Sequence, residues 1–377
     1  MTTDPVPTTG QPPEAHSITR SDRDPAETRA DFAEWLAATV GGPVEIIEFV
    51  TPESNGMSSD TVLATAAWDG TEHRLVIRIA PPPTAMPVFA DYRLDHQFET
   101  MRLVGELSEV PVPGLRWLEN SLDALGAPFF VMDRVDGLVP PDNLPYPMGG
   151  WVLDASPEDR VRLVERTVQT LAAIHAIPNA ASTFAFLPGG GTESPLRAHV
   201  DALAEFYRWM RGDLRLPLVE DGFAWLEANW PADEGPTVLS WGDSRIGNTM
   251  YRDFDPVAVL DWEMAALAPA EVDLAWCIFL HRFFEDICAV MEMPGLPEML
   301  RRDDVVAIYE AASGRTVANL DWHLVYAALR HAVVMARVKM RAIHFGEDVM
   351  PEDPDDLVMH RVALRQLIEG TYWSHVG

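Results

Sequence analysis

The sequence predicts an α+β protein of two lobes, a small antiparallel sheet with one helix and a larger, mainly helical part. Three observations lead to this prediction. Short runs with the two-residue alternation of strands fill residues 44–135, and helical periodicity dominates from residue 156 onward. Between residues 237 and 260, two short apolar runs surround a polar loop and interrupt the helices. Strands that enclose a single helix in the first part are typical of a small sheet with a helix packed against it.

The first lobe is placed at residues 27–135. The preceding residues, 1–26, are rich in Pro, Thr and Asp and predict a disordered tail. Gly41-Gly42-Pro43 ends the first helix, and Asp69-Gly70 is a hairpin signal. The expected elements are a helix at 27–40, strands at 44–50, 61–68 and 74–80, a helix at 89–107, and strands at 115–118 and 128–135.

The second lobe is placed at residues 136–377. Its first long helix is expected to start at Ser156, which is followed by Pro157 and, three residues after the Ser, by Asp159. Further helices are expected at residues 196–211, 219–229, 272–290, 303–313, 321–345 and 355–372.

Charge and composition restrict the partners. The chain has 377 residues, with 28 Lys and Arg against 58 Asp and Glu, a formal net charge of −30. Such a chain is expected to repel nucleic acid and anionic membrane. We find no 18-residue apolar span and no secretory signal pattern at the N-terminus. Cys277 and Cys288 lie too far apart on one predicted helix for a disulfide, which favours free thiols and a cytoplasmic location.

The segment at residues 238–275 carries the residues expected to do chemistry. A short apolar run leads to Asp243, Asn248 follows five positions later, and Asp261 ends a second apolar run. Phosphoryl transfer needs such a set, because one Asp orients the acceptor hydroxyl while an Asn and a second carboxylate hold Mg²⁺ against the phosphates. Each residue alone is more often a turn or capping residue. The combined spacing and the flanking strands favour the catalytic interpretation.

This segment resembles the catalytic core of the aminoglycoside phosphotransferase and choline kinase family, relatives of protein kinases. Trp241-Gly242-Asp243 with Asn248 resembles the family's His-Gly-Asp loop with its Asn, and Asp261-Trp262-Glu263 resembles its metal-binding segment. The stretches DSRIGN and LDWE are most similar to the branch associated with acyl-CoA dehydrogenases. Asp273 stands where the family has an Asp that braces the loop. The resemblance covers about residues 40 to 345 and implies a bilobal protein-kinase-like fold, with Asp243 catalytic and Mg²⁺ on Asn248 and Asp261.

The resemblance also implies an ATP site between the lobes. Its phosphate-covering loop would contain Gly56, Met57 and Ser58, for which an ordinary hairpin loop is the alternative. Arg78 would grip the phosphates in place of the commoner Lys, and Glu99 would orient it. The alternatives for this pair are a solvated strand Arg and a surface Glu. The adenine would lie beside Met132 and the backbone of Asp133 and Val135.

Two residues qualify the resemblance. Trp241 replaces the family's His, and an indole cannot reproduce both nitrogens of that ring, so lower activity is one expectation. His175 resembles a helix-end His of the family and is expected to be a buried core residue rather than a catalytic one.

The expected function is ATP-dependent phosphoryl transfer to the hydroxyl group of a small molecule. The acceptor stays open between an aminoglycoside, which suits the acidic chain, and a hydroxyacyl-CoA or other hydroxy acid. Two alternatives belong to other classes. An ATP-binding pseudokinase predicts no product with any acceptor, and a helical ligand-binding protein predicts no Mg²⁺-dependent ATP binding. The sequence leaves the oligomeric state open.

Overall fold

The first part of the chain forms a five-stranded antiparallel sheet. The fold is taken from a computed structural model that describes residues 23–52, 59–82, 85–142 and 144–374. A helix, α1 (Pro25–Val40), precedes the sheet, and α2 (Leu94–Leu107) lies between its third and fourth strands. The strands are β1 (Glu45–Val50), β2 (Asp60–Trp68), β3 (Thr71–Ile79), β4 (Leu115–Glu119) and β5 (Phe129–Asp133). They pair in the order β1-β2-β3-β5-β4, so β3 and β5 are neighbours in the middle of the lobe.

The alternation along β3 decides which of its side chains face the second lobe. Leu75 and Ile77 are fully buried in a cluster with α1, whereas Val76 belongs to the larger core shared with α2 and the helical lobe. Because successive strand side chains point to opposite faces, Arg78 lies on the same face as Val76. The sheet therefore presents Arg78 to the second lobe.

The second part of the chain is mainly helical. Its helices are α3 (Trp151–Asp154), α4 (Pro157–His175), α5 (Ala180–Thr183), α6 (Pro195–Arg211), α7 (Pro217–Ala228), α8 (Glu271–Val290), α9 (Arg302–Ser313), α10 (Leu320–His344) and α11 (Arg361–Ile368). The 25-residue α10 is mostly buried and packs against α6, α7, α8 and α11. It is the central helix of this lobe, so polar side chains on it lie close to the interior.

Two short antiparallel pairs of strands interrupt the helices. The strands are β6 (Thr237–Ser240), β7 (Thr249–Arg252), β8 (Asp255–Val259) and β9 (Ala266–Pro269). β6 pairs with β9, and β7 pairs with β8. The two pairs of strands hold the loop at residues 241–248 beside the segment at residues 260–265. Sequence analysis found the two apolar runs that form β6 and β8 but missed β7, which lies inside the polar loop, and β9, which is a four-residue run without alternation.

The observed elements differ from the predicted ones at both ends of the chain. α1 begins at Pro25, two residues before its predicted start, because the Asp24 carboxylate accepts a hydrogen bond from the Ala26 N–H at 2.7 Å. The predicted helix at 355–372 is wrong, since a 3₁₀ turn at Pro354–Leu357 precedes the short α11. Contacts with other helices break it: Asp355 accepts from the Leu218 N–H, and His360 donates to the Ala328 carbonyl.

Cys277 and Cys288 are both buried free thiols, as predicted. Burial raises the pKa of Cys277 to about 12, so this thiol stays protonated. Within the described ranges, no helix is both long and apolar enough to cross a membrane.

Candidate active site

The loop that carries Asp243 requires glycine at the preceding position. Gly242 has φ = +90°, a conformation that L side chains rarely adopt. A Cβ there would also collide with the carbonyl oxygen of Met264. The loop therefore packs backbone against backbone on the segment that follows Asp261, which brings two distant parts of the motif together.

Three donors hold the Asp243 carboxylate in place. Its Oδ1 accepts from the indole Nε1 of Trp276 at 2.7 Å, and its Oδ2 accepts from Asn248 Nδ2 at 2.6 Å and from Arg245 Nε at 3.2 Å. Only 16% of the Asp243 side chain is exposed. An ionised carboxylate offers about four acceptor positions, so these bonds fix its orientation and still leave it able to accept from a substrate hydroxyl.

Arg245 is held between two carboxylates. It donates to Asp243 and also to Asp142, a residue that lies 103 positions earlier in the chain. Burial works against the charge of this guanidinium, but the two aspartates outweigh burial and raise its pKa. Arg245 thus ties the loop to the segment that links the two lobes.

Asn248 and Asp261 lie on two segments that are hydrogen-bonded to each other, and their side chains suit a divalent cation. The Leu260 N–H donates to the Asn248 carbonyl at 2.9 Å, which joins the two segments directly ahead of Asp261. Because Asn248 uses Nδ2 to contact Asp243, its amide oxygen Oδ1 is the atom it would offer a metal. A carboxylate plus an amide oxygen is a donor set that fits Mg²⁺, which takes its remaining ligands from phosphates and water.

Among the described residues, no group of three or more His, Cys, Asp or Glu side chains is placed to hold a metal ion. Mg²⁺ in proteins is commonly held by one or two carboxylates together with substrate phosphates and water.

Arg78 reaches across from the sheet to Asp261. Its Nη2 lies 2.7 Å from Asp261 Oδ1, and its Nη1 lies 3.3 Å from Thr61 Oγ1. The two charged side chains are 12% and 22% exposed. Asp261 itself has φ = +52°, a left-handed backbone conformation that is uncommon for residues other than Gly. The ion pair places the guanidinium of Arg78 next to Asp261, the proposed metal ligand.

Asp273 anchors the loop at residues 241–248 through hydrogen bonds. Its fully buried carboxylate accepts from Ser240 Oγ, from the N–H groups of Trp241 and Gly242, and from His175 Nε2, at 2.7–2.9 Å. Burial alone would raise the pKa of Asp273, but the bonds from His175, Gly242 and Ser240 outweigh burial and lower it. His175 is buried, as sequence analysis expected, and bonds this anchor rather than the site itself.

Trp241 also braces the loop. Its indole Nε1 donates to the Leu260 carbonyl at 2.8 Å, and its ring packs against Trp262 with centroids 6.0 Å apart. The side chain is 1% exposed. The indole thus connects the Asp243 loop to the Asp261 segment through one donor, although it lacks the second nitrogen of an imidazole.

The residues expected to contact adenine lie at the end of β5. Met132 is on the same face of the sheet as Val76 and is 8% exposed. The Asp133 N–H donates to the Gly114 carbonyl, and the Arg134 N–H donates to the Arg74 carbonyl. The next N–H along the chain is that of Val135. The Asp133 carboxylate points to Arg116 at 2.8 Å, so only its backbone could serve a nucleotide here.

The predicted pairing of Glu99 with Arg78 is wrong. Both Glu99 oxygens accept from Arg102, three residues later on the surface of α2, and the Glu99 side chain is 41% exposed. Arg78 pairs with Asp261 instead. The polar side chains that α2 turns inward are Gln97 and Thr100, which are 4% and 0% exposed. Gly56, Met57 and Ser58 lie outside the described residues.

Sequence analysis missed two residues of the site. Trp276 was given no role, yet it donates directly to Asp243. Arg330 on α10 was not considered at all, and it donates to the Gly242 carbonyl at 3.0 Å. Trp276 is 33 positions from Asp243, and Arg330 is 88 positions from Gly242. A Trp and an Arg inside amphipathic helices give no sequence signal of a site.

Residues 50–301, more than half of the chain, match the model of the phosphotransferase enzyme family. The chain belongs to this family. Its predicted enzyme class, small-molecule phosphotransferase, is confirmed. The recognition made from the Asp243, Asn248 and Asp261 segment is confirmed as well.

Solved structures share the fold of this phosphotransferase at low sequence identity. A Ralstonia eutropha protein named for aminoglycoside phosphotransferase activity has a TM-score of 0.63 and 17% identity, with 92% of this chain and 98% of that chain covered. A macrolide 2'-phosphotransferase of Brachybacterium faecium has a TM-score of 0.54 and 19% identity, with 87% and 97% covered. A thermostable aminoglycoside phosphotransferase APH(4)-Ia variant, in complex with ADP and hygromycin B, has a TM-score of 0.54 and 14% identity, with 89% and 97% covered. These likenesses confirm the predicted protein-kinase-like α+β fold.

Relatives by sequence are named for a different activity. An Arabidopsis thaliana protein named as an acyl-CoA dehydrogenase, IBR3, is 25% identical over 326 residues, which cover 80% of this phosphotransferase and 37% of the relative. The mouse acyl-CoA dehydrogenase family member 10 is 25% identical over 238 residues, covering 62% and 20%. The chain thus spans well under half the length of these curated relatives.

Proposed function

We propose that this chain transfers the γ-phosphate of ATP to the hydroxyl group of a small molecule, with Asp243 as the base. The observation that carries the proposal is the contact between the two halves of the site. Asn248 touches Asp243 through Nδ2 and meets the Asp261 segment through its carbonyl. The residues that phosphoryl transfer needs therefore converge from two separate loops.

Asp243 would orient the acceptor. Its carboxylate is fixed by Trp276 and Asn248, so it can accept a hydrogen bond from the acceptor hydroxyl in one defined direction. The hydroxyl oxygen attacks the γ-phosphorus, the bond from that phosphorus to the β–γ bridging oxygen breaks, and the hydroxyl proton passes to Asp243. The products are a phosphate ester and ADP. Positioning and charge neutralisation would supply most of the rate.

The nucleotide would lie between the sheet and the helical lobe. Asn248 and Asp261 would hold Mg²⁺, which neutralises the charge on the phosphates. Arg78 would move its guanidinium from Asp261 to the phosphates, which it can grip with two parallel hydrogen bonds. Met132 would contact the adenine, while the backbone of Asp133 and Val135 would form its hydrogen bonds.

The similar proteins suggest two classes of acceptor. The complex with hygromycin B suggests an aminoglycoside, and the relatives named for acyl-CoA dehydrogenation suggest a hydroxyacyl-CoA or hydroxy acid. Each observation belongs to the relative, and the shared chemistry is transfer to an alcohol.

The test compares Asp243→Ala with the wild-type protein. Both are incubated with Mg-ATP and a panel of alcohols, and phosphorylated product is detected by mass. Loss of a general base costs about 10²- to 10⁴-fold, so turnover should fall by that factor while the dissociation constant for ATP stays within about threefold.

Asp123→Asn, at an exposed position in the loop after β4, is the matched control and should keep wild-type turnover. Unchanged turnover in Asp243→Ala would remove Asp243 from the mechanism. ATP binding with no product for any alcohol would instead indicate a pseudokinase.

A further inference from the structure

Arg330 lies against the backbone of the Asp243 loop. Its side chain projects from the central helix α10, and the residue is 5% exposed. Nη1 donates to the Gly242 carbonyl at 3.0 Å, and the guanidinium carbon lies 4.6 Å from the centre of the Trp276 ring. That same Trp276 donates its Nε1 to Asp243 Oδ1 at 2.7 Å. A single indole therefore separates a buried cation from the proposed base.

Within the described residues, Arg330 forms no salt bridge with a carboxylate. Its contacts there are a carbonyl oxygen and an aromatic ring, neither of which carries a formal charge. The other two arginines of the site differ, because Arg78 pairs with Asp261, and Arg245 pairs with Asp142 and Asp243. Buried charges in proteins are normally paired, and a guanidinium has five N–H donors to satisfy.

A second arginine follows on the same face of α10. Arg337 lies seven residues after Arg330, or two helical turns, about 10 Å along the axis. It is 8% exposed, donates to the Pro87 carbonyl at 2.9 Å, and lies 4.6 Å from the Trp209 ring centre. Trp209 is 45% exposed and stacks on Phe206. Two arginines, each next to a tryptophan ring, thus follow one another along α10 from the Asp243 loop.

We propose that Arg330 binds an anionic group, a carboxylate or a phosphate, on the acceptor, and that the acceptor is a hydroxylated anion rather than a polycationic sugar. The inference rests on the proposed function and names its acceptor class. An acceptor whose hydroxyl meets Asp243 would place a neighbouring anion over Trp276, where the Arg330 fork can bind it in bidentate fashion. A longer acceptor would continue towards Arg337 and Trp209.

The overall charge of −30 would favour a cationic acceptor at long range. Exposed charges beyond about 8–10 Å are largely screened at physiological salt, whereas a buried cation next to the reacting group is not. The local charge therefore decides which acceptor binds.

The experiment uses matched pairs of acceptors with wild-type protein and Mg-ATP. The pairs are 3-hydroxybutyrate with its methyl ester, and glycerol 3-phosphate with glycerol; 3-hydroxybutyryl-CoA and hygromycin B complete the panel. Within each pair the two acceptors share a hydroxyl group and differ in the anion; for the second pair, transfer to the hydroxyl that both molecules carry is compared. We expect kcat/KM for at least one anion to exceed that of its neutral partner by about 10- to 100-fold, the range for hydrogen bonds to a charged group. The two pairs distinguish a carboxylate from a phosphate.

Arg330→Gln then tests the residue. It should raise the KM for the preferred anion by about 10- to 100-fold, leave the KM for ATP within about twofold, and abolish the preference for the anion over its neutral partner. Arg330→Lys should restore part of the preference because the charge remains. Arg208→Gln, an exposed position on α6, is the matched control and should keep the wild-type preference.

If Arg330 only stabilises the structure, Arg330→Gln should lower the turnover of the anionic and the neutral acceptor equally. The ratio of kcat/KM between the two acceptors therefore distinguishes a structural role from anion binding. The inference is overturned if neutral alcohols or hygromycin B react as well as the anions. It is also overturned if Arg330→Gln folds and keeps the preference for the anion. In both cases, transfer by the wild-type protein would still support the proposed function. Absence of transfer to every acceptor would overturn both. If Arg330→Gln does not fold, the wild-type panel alone decides.

Discussion

Arg78 and Asp261, which are 183 positions apart, form a 2.7 Å ion pair that joins the sheet to the helical lobe. In the proposed reaction, the nucleotide phosphates and their metal would bind at this pair. Each partner would therefore exchange its contact when ATP enters: Arg78 for phosphate oxygens, and Asp261 for Mg²⁺. The ion pair keeps both side chains oriented towards the site before the nucleotide arrives.

Arg78→Ala should weaken ATP binding more than it weakens acceptor binding. A bidentate contact between an arginine and a phosphate is charge-assisted, so its loss should raise the KM for ATP by about 10- to 100-fold. Steady-state kinetics with ATP and acceptor varied in turn would measure this. Arg78→Lys should recover part of the loss, and an unaltered KM for ATP in Arg78→Ala would exclude the contact.

Asp261→Asn should reduce the response to Mg²⁺. The substitution removes one negative charge from the two-residue donor set and keeps its shape, so the Mg²⁺ concentration for half-maximal activity should rise about tenfold or more. A titration of activity against Mg²⁺ measures the shift, and EDTA should abolish transfer by the wild-type protein. Asp303→Asn, an exposed change on α9, provides the reference curve. Overlapping curves for Asp261→Asn and wild type would reject the metal assignment.

Trp241→Phe should impair the reaction while the protein stays folded. The change removes the donor to the Leu260 carbonyl and part of the contact with Trp262. We expect kcat to fall about tenfold and stability to fall by about 1–3 kcal/mol, since a buried acceptor loses its partner. Thermal unfolding and turnover, measured on the same sample, test both effects. A variant with full kcat would show that the brace is dispensable.

Stability should decrease as the pH falls below about 6.5, the ordinary pKa of histidine. Burial lowers the pKa of His199 and His281 to about 3 and of His360 to about 4, and it lowers that of His331 as well. Between about pH 4 and 6.5 the unfolded chain binds protons that the folded chain does not, so the free energy of unfolding rises with pH in that window.

Unfolding by denaturant at several pH values would measure this slope, and His360→Gln should make it shallower by up to one proton. His344→Gln is a suitable comparison because it changes an exposed histidine at the end of α10. A flat profile from pH 6.5 to 4.5 would contradict the prediction.

The sequence predicted most of the fold because local patterns determine most of its elements. The alternation of β3, the Ser156 cap of α4 and the Asp69-Gly70 turn each gave an element close to its observed position. The failures depended on distant contacts. The helix expected at 355–372 is interrupted where Asp355 and His360 bond to α7 and α10, and no local pattern reports such contacts.

The site residues also divide into those that a local pattern predicts and those that depend on distant contacts. Asp243, Asn248 and Asp261 could be found because they share one segment and a recognisable spacing. The assignment of Glu99 failed because only the rotation of α2 shows that Glu99 faces solvent and Gln97 faces inward. Arg330 could not be found because its part in the site depends on the packing of α10 beneath a loop 88 positions away.

The Asp273 carboxylate joins a strand end, two consecutive loop amides and the final residue of α4. A segment tied at so many points cannot swing independently of α4 and α8. Any closing motion on nucleotide binding would then be a rotation of the sheet lobe towards a stationary Asp243. Diversification of acceptor choice among related enzymes would correspondingly fall on the exposed positions of α6, which can vary without disturbing the catalytic geometry.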